Sequence, residues 1–150
     1  MVSLKIVDEN NFRTIVGMKL NEEQSKYVAS NMYSLAQAWL YHEVAKPYAI
    51  YNDEEVIGFM MLDWDEKKRE CSIWRFMITT DQQGKGYGRK ALEYALNIIK
   101  EAEKFDYVFL DYVPDNVVGK HLYESMGFKE TGEIDEGEIV MKLDLINKVY

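Results

Sequence analysis

The sequence predicts an α/β (α+β) fold, in which a mixed sheet lies between helices on both faces. Short apolar runs typical of strands alternate with longer segments whose apolar residues recur at helical spacing. Three of the runs follow one another across polar turns, which predicts a meander within that sheet. A chain of 150 residues is the size of one domain, and we expect residues 1–150 to form a single domain.

The N-terminal region predicts one strand and two helices. Leu4–Val7 is a short apolar run, and Asn10 is a residue type favoured as a helix N-cap. The apolar residues of that first helix are Phe12, Ile15, Val16 and Leu20. A second helix is expected over Leu35–Tyr41, capped by Ser34 and ending before Pro47, because proline disfavours helix on its N-terminal side.

The three strands of the meander come next. Tyr48–Tyr51 and Val56–Leu62 flank the polar turn at residues 52–55, which is typical of a hairpin. A second polar turn at residues 65–69 leads into a third strand over Glu70–Thr79.

The C-terminal half alternates helix and strand. A helix over Gly86–Lys104 carries apolar residues on one face, and Tyr107–Tyr112 is the strand that follows it. Another helix begins near Pro114 and ends at Gly127, a residue typical of helix C-termini. Ile139–Leu143 is the last predicted strand, and we expect it to be an exposed edge able to support a homodimer.

Charge and composition limit the partners. The chain has 26 Asp and Glu against 18 Lys and Arg, a net charge of −8, which argues against nucleic acid and is compatible with a cationic partner. No apolar run approaches the roughly 20 residues that cross a membrane, and the N-terminus lacks a signal-peptide core, so a cytoplasmic location is expected. With Cys71 as the only cysteine and His42 and His121 as the only histidines, we expect no bound metal.

The most informative segment is the glycine-rich turn Gln83–Arg89, which follows one predicted strand and opens a predicted helix. Glycines allow positive φ and a close approach of the backbone, so that consecutive N–H groups can converge on phosphate oxygens. The unpaired amides and the positive dipole end of the helix add to the same field. The turn therefore predicts a site for a polyphosphate ligand.

Three kinds of phosphate ligand compete for this turn. A P-loop is excluded, because Lys85 lies between glycines and no Ser or Thr follows it. The dinucleotide spacing Gly86-x-Gly88-x-x-Ala91 is present, with Asp111 about 20 residues further on, but the turn follows a meander instead of the first strand of a βαβ unit. The third interpretation also explains a second motif, Asn116-x-x-Gly119-x-x-Leu122-Tyr123-x-x-x-Gly127-Phe128.

Together the two motifs resemble the cofactor signatures of the GNAT N-acetyltransferase superfamily. Gln83-x-x-Gly86-x-Gly88 resembles the acetyl-CoA pyrophosphate signature, and the later segment resembles the family's second cofactor motif. Trp74–Ile78 and Gly132–Glu138 are similar to segments of bacterial spermine/spermidine (diamine) acetyltransferases. The resemblance implies a three-layer α/β/α fold with a mostly antiparallel sheet, splayed at the cofactor groove, and acetyl-CoA as the donor.

The resemblance also implies which residues hold the cofactor. It places strand residues beside the pantetheine arm as backbone partners, Asn116 in a bond to pantetheine, and the glycine turn with nearby cations at the phosphates. The implied cofactor residues are Phe76, Met77, Ile78, Gln83, Gly84, Lys85, Gly86, Tyr87, Gly88, Arg89, Asn116, Gly119, Lys120 and Tyr123. Helical spacing alone already puts the last four of these on one face.

The reaction implied is attack of a primary amine on the acetyl thioester, giving an oxyanion and then a CoA thiolate. A backbone N–H of Met77 or Ile78 is expected to stabilise the oxyanion. Tyr123 is the predicted general acid, and packing of its ring in the core is the alternative. No residue identifies itself as the base, and a water held by Glu22, Glu23 or Asp111 is the hypothesis for removing the ammonium proton.

The acceptor is predicted to be a polyamine such as spermidine or spermine. Such a ligand needs spaced carboxylates and aromatic faces for its ammonium groups. The predicted substrate residues are Glu22, Glu23, Trp74, Asp111 and Tyr112. Another small amine, a protein N-terminus and a noncatalytic acyl-CoA sensor remain as alternatives.

Overall fold

The computed structural model describes residues 1–19 and 29–146, whose strands all belong to one sheet. The strands are β1 (Val2–Ile6), β2 (Ala45–Asn52), β3 (Glu55–Asp65), β4 (Glu70–Ile78), β5 (Tyr107–Tyr112), β6 (Lys129–Asp135) and β7 (Glu138–Asp144). The α-helices are α1 (Phe12–Gly17), α2 (Asn31–Leu40), α3 (Tyr87–Glu101) and α4 (Val117–Ser125). The sheet order is β1-β2-β3-β4-β5-β7-β6, and every neighbouring pair is antiparallel except β4 and β5.

Helices cover both faces of this sheet. The apolar stripe of α3, which includes Leu92 and Ile99, is buried in one core together with Phe128, which follows α4. A second core on the opposite face joins Ile15 of α1 to Phe59 of β3. The predicted mixed sheet with helices on both faces is therefore confirmed.

The sheet opens between β4 and β5. These two strands pair over only four positions, which end at Ile73 opposite Leu110. Trp74 is the extra residue of a β-bulge, because Arg75 opposes Met61 while Ile73 opposes the next residue of β3. A bulge bends its strand and increases the local twist, and here it coincides with the point where β4 leaves β5. Beyond the bulge, among the described residues, β4 continues to pair with β3 and β5 continues to pair with β7, but β4 and β5 no longer pair with each other. This separation is the predicted splay.

Two helix starts were predicted at the wrong residue. Ser30, not Ser34, caps α2, and its hydroxyl accepts a hydrogen bond from the Tyr33 N–H at 3.1 Å. Ser34 lies inside the helix, where its hydroxyl donates to the Ser30 carbonyl. Asn11 occupies the N-cap position of α1 in place of Asn10, without a side-chain capping bond. Leu20, predicted to extend this helix, lies outside the described residues.

The prediction of an edge strand over Ile139–Leu143 was also wrong. These residues belong to β7, which lies between β5 and β6, so β6 is the edge on that side of the sheet. The sequence analysis missed β6 because its seven residues are all exposed and contain no apolar run. Helix α3 ends at Glu101 instead of Lys104, since Glu103 adopts a φ of 55° that a helix cannot continue.

Candidate active site

The glycine turn and the first turn of α3 form an open cradle of backbone amides. Gly84 and Gly86 have φ values of +75° and +84°, and a Cβ on either would meet nothing within 4 Å. Gly86 is also the N-cap of α3 and offers no side chain to the first amides of the helix. Left-handed backbone, empty space above it and a helix N-terminus together fit a bound pyrophosphate.

The side chains around the cradle make contacts within the protein. Lys85 Nζ donates to Gln82 Oε1 at 3.3 Å, and Arg89 Nη2 donates to Ser125 Oγ at 2.7 Å, at the end of α4. Gln83 Nε2 donates to the Ile78 carbonyl at 2.8 Å and ties the turn to the end of β4. Lys85 and Arg89 are exposed cations beside the turn, and both can be redirected to an anion.

Tyr87 differs from the other residues of the turn. Its hydroxyl accepts a hydrogen bond from Asn52 Nδ2 at 3.1 Å, and its ring packs against the core on the α3 side of the sheet. A Cβ on Gly88 would make an ordinary van der Waals contact, 3.8 Å from the Phe76 ring. Tyr87 therefore contributes backbone to the cradle, while its side chain anchors the helix.

Asn116 and Gly119 form the start of α4. Asn116 Oδ1 accepts a hydrogen bond from the Gly119 N–H at 3.0 Å and caps the helix. Lys120, on the same helix face, lies 3.7 Å from Glu130 Oε1, an oxygen that also accepts a 2.8 Å hydrogen bond from the Tyr112 hydroxyl. Lys120 thus already has a carboxylate partner.

A cavity of about 760 Å³ opens where β4 and β5 separate. Residues of β4, β5 and α4 line one side of the cavity, at the splay. Tyr33 and Gln37 of α2 line the other side. Of the predicted site residues it brings together Trp74, Phe76, Asp111, Tyr112, Asn116 and Tyr123. Met77 and Ile78, the predicted oxyanion donors, are buried in β4 and are not among its lining residues.

Tyr123 both packs and lines the cavity. Its ring is 6.4 Å from that of Tyr112 and 6.3 Å from that of Phe128, measured between centroids. Burial raises the pKa of the Tyr123 hydroxyl to about 12. The phenol is therefore neutral, and able to donate a hydrogen bond, across the physiological pH range.

The cavity wall is more acidic than the sequence analysis predicted. The carboxylates that line it are Asp63, Asp111, Asp135, Glu136 and Glu138. The last three meet at the β6–β7 turn, where Glu136 and Gly137 take φ values of 48° and 83°. Only Asp111 was predicted, because the three turn residues reach the cavity through the unpredicted strand β6, and Asp63 reaches it through the pairing of β3 with β4.

The electrostatics of this wall favour a cation. Desolvation, followed by the charges of Glu138 and Asp135, raises the pKa of Asp111 to about 6. Desolvation also raises the pKa of Glu138, and the nearby Arg75 opposes that shift. Among the residues that the structure describes, no group of acids and histidines is arranged to hold a metal ion. A bound organic cation would relieve the mutual repulsion of these carboxylates.

Among the described residues that line this cavity, Arg75 is the one that is basic. Its Nη1 donates to the Trp74 carbonyl at 2.9 Å and its Nη2 to Gln37 Oε1 at 2.8 Å. In the described part of the chain, two buried side-chain atoms lack a hydrogen-bond partner, Arg75 Nε and Asp63 Oδ1, and both residues line the cavity. Glu22 and Glu23, the remaining predicted substrate residues, lie outside the described residues.

The chain belongs to the acetyltransferase (GNAT) family, whose profile matches residues 13–128. It is 30% identical, over 151 aligned positions, to the spermine/spermidine N(1)-acetyltransferase of Bacillus subtilis (strain 168), with 96% of this chain and 99% of that protein covered. The protein is accordingly an acetyl-CoA-dependent N-acetyltransferase.

Solved structures share the fold. The spermidine N-acetyltransferase of Vibrio cholerae, in complex with CoA and spermine, superimposes with a TM-score of 0.76 at 20% identity, covering 94% of this chain and 92% of that one. An aminoglycoside acetyltransferase in complex with coenzyme A and kanamycin gives a TM-score of 0.80 at 18% identity, covering 96% and 95%. The same fold thus accompanies different acceptors, and the acceptor has to be argued from this chain's own cavity. Among the described helices, none is long and apolar enough to cross a membrane.

Proposed function

We propose that the protein transfers the acetyl group of acetyl-CoA to a primary amine of a linear polyamine such as spermidine or spermine. The observation that supports this acceptor is the cavity at the splay, whose described lining residues include five carboxylates and one basic residue. Polyamines carry several ammonium groups, and a partly desolvated carboxylate is stabilised by a nearby cation. The names of the Bacillus subtilis relative and of the spermine-bound Vibrio cholerae protein point to the same class of acceptor.

Backbone amides, more than side chains, would bind acetyl-CoA, the acetyl donor. The amides of Gly84–Gly88 and the N-terminus of α3 face the pyrophosphate, with Lys85 and Arg89 beside them. Beyond Ile73, no strand of the described residues pairs with β4 on its β5 side, so the backbone of Phe76, Met77 and Ile78 is open to an extended amide chain on that side. We assign the pantetheine arm to this edge, near Asn116. Acetyl-CoA supplies the activated acetyl group as a thioester.

Tyr123 would donate a hydrogen bond to the departing sulfur. A phenol of pKa about 12 is a weaker acid than a thiol of pKa about 8.5, so complete proton transfer to the sulfur would cost about 5 kcal/mol. The thiolate therefore takes up the second N–H proton, which the nitrogen loses after it has attacked, while Tyr123 stabilises the negative charge that develops on the sulfur. This refines the general-acid role predicted from the sequence.

A water held by Asp111 is the proposed carrier of the first ammonium proton to the solvent. An alkylammonium with a pKa of about 10.4 must lose a proton before it can attack. Asp111 is the first residue of β5 beyond its last pairing with β4, and its carboxyl lines the cavity. With a pKa of about 6 it is ionised at neutral pH.

A panel of amines tests this function. Free thiol would be measured with acetyl-CoA and, in turn, spermidine, spermine, butylamine, kanamycin and a peptide with a free N-terminus. We expect the highest kcat/KM for spermidine or spermine. A higher value for kanamycin or the peptide would overturn the polyamine assignment. Binding of acetyl-CoA, seen as a rise in Tm, without turnover of any amine would favour the sensor.

The cytoplasmic location and the homodimer stay predictions. If the protein dimerises by strand pairing on the C-terminal side of the sheet, the available edge is β6 and not β7. A mass from light scattering tests the dimer.

A further inference from the structure

Asp63 is a partly buried carboxylate for which the reaction described above has no role. It lies on β3 opposite Ser72 of β4, on the same sheet face as Met61 and Phe59. Its Oδ1 is closed to solvent and has no hydrogen-bond partner. Leaving a buried polar atom unpaired costs about 1–3 kcal/mol, and more for a charged group. Asp63 lines the cavity, so the carboxylate that holds this buried, unpaired oxygen is within reach of a cation bound there.

The basic residue in the same cavity does not neutralise Asp63. Arg75 opposes Met61, two residues from Asp63 along β3, yet its guanidinium is bonded to Gln37 Oε1 and the Trp74 carbonyl. Among the ion pairs of the described residues, none joins Arg75 to Asp63. Gln37 of α2 thus binds the Arg75 guanidinium away from Asp63. The Asp63 carboxylate is left available to a cation of the ligand.

Local charges agree with this placement. Desolvation, and then the charge of Asp65, raises the pKa of the Asp63 carboxyl, while Lys68 in the following turn lowers it. A raised pKa means that the folded protein disfavours the carboxylate as it stands. A bound ammonium would reverse that preference.

Asp63 and Asp111 are spaced along one face of the sheet. Asp63 opposes Ser72, Ser72 opposes Phe109, and Asp111 is two residues further along β5. With strands about 4.8 Å apart and a rise of about 3.3 Å per residue, the Cα atoms of the two aspartates are about 12 Å apart. Residues opposite each other or two apart share a face, so both carboxylates lie on the α2 side of the sheet.

We propose that Asp63 binds a second ammonium group of the acceptor, and that the enzyme thereby selects polyamines by the distance between the reacting amine and that cation. This inference rests on the proposed function. The reacting amine lies at the splay beside Tyr123 and Asp111, and the rest of the acceptor follows the sheet face to Asp63. A monoamine or a short diamine gains nothing from Asp63, because it cannot span the two positions.

The test is a chain-length series of α,ω-diamines, together with spermidine, and with butylamine as the reference that has no second cation. For the wild type we expect KM to fall steeply with increasing diamine length, at the length that first spans the carboxylates of Asp63 and Asp111. Asp63→Asn should abolish that fall, raise KM for spermidine at least tenfold and lower the ratio of kcat/KM for spermidine to that for butylamine at least tenfold. Asparagine has nearly the same shape, and a Tm no lower than that of the wild type will show that the variant folds.

Asp65→Asn is the matched control. Asp65 lies two residues along the same strand and outside the cavity, and the amide oxygen of the replacement side chain can still accept the hydrogen bond that the Lys68 N–H donates to Asp65. We expect its length profile to match that of the wild type. If Asp63→Asn acetylates spermidine and its KM depends on diamine length as in the wild type, Asp63 does not bind the second ammonium group. The proposal that the protein acetylates polyamines would still stand. If the wild type turns over no diamine but acetylates another acceptor class, the proposed function fails and the subsite with it.

Discussion

The side-chain oxygen of Asn116 accepts a hydrogen bond from the backbone N–H of Gly119 at 3.0 Å, and a Cβ on Gly119 would lie 2.5 Å from Asn116 Nδ2. The position of the Asn116 amide therefore requires a residue without a Cβ at position 119. The cap begins α4, and α4 places Tyr123 at the cavity that Asn116 also lines. A motif read as a cofactor signature thus has a structural role in starting the helix.

Substituting Gly119 by alanine should disturb this cap. The added Cβ must displace the Asn116 amide, so we expect a loss of about 1–2 kcal/mol in the free energy of unfolding, comparable to losing an N-cap. Because Asn116 is displaced, KM for acetyl-CoA should rise as well. Urea denaturation and steady-state kinetics measure the two effects. Gly17→Ala, where a Cβ meets nothing within 4 Å, is the control; equal stability of the two variants would refute the argument.

Tyr123→Phe removes the hydroxyl and keeps the ring packing. We expect kcat to fall about 100-fold, within the range for a lost transition-state donor, while KM for acetyl-CoA changes little. Tyr107→Phe, outside the cavity, should leave kcat unchanged. Unaltered turnover in the Tyr123 variant would remove this residue from the mechanism.

Asp111→Asn should change the pH dependence of stability. The pKa of Asp111 is raised to about 6 in the folded protein, above its unfolded value of about 3.9. Its protonated form is thus favoured by folding, and the resulting stability is full below pH ~4 and is lost as pH rises through about 6. Relative to the wild type, the variant should gain Tm above pH 6 and gain nothing near pH 4. A difference in Tm that is the same at every pH would contradict the assigned environment.

The sequence predicted those parts of the site whose backbone conformation is set by residues close together in the chain. Gly84 and Gly86 marked the turn because only glycine takes their φ values easily, and the apolar periodicity of α3 fixed the helix that follows. The splay itself came from the family resemblance, since the point where β4 separates from β5 depends on pairing between strands that are far apart in sequence.

The acidic wall could not be predicted in the same way. Asp135 and Glu138 reach the cavity because β6 pairs with β7, and β6 has no apolar alternation to reveal it. Strand β4 lies between Asp63 and Asp111, and strands β4 and β5 lie between Asp63 and Glu138, so only the assembled sheet brings Asp63 to the same cavity. Long-range register was the missing information in both cases.

The central claim is that the acidic wall binds a cationic acceptor, and steady-state kinetics of the double variant Asp135→Asn/Glu138→Gln test it most directly. Glu133→Gln, on exposed β6 and outside the cavity, is the control. We predict that kcat/KM for spermidine falls at least tenfold in the double variant through a higher KM, while KM for acetyl-CoA and the kinetics of the control are unchanged. An unchanged kcat/KM for spermidine in the double variant would contradict the account.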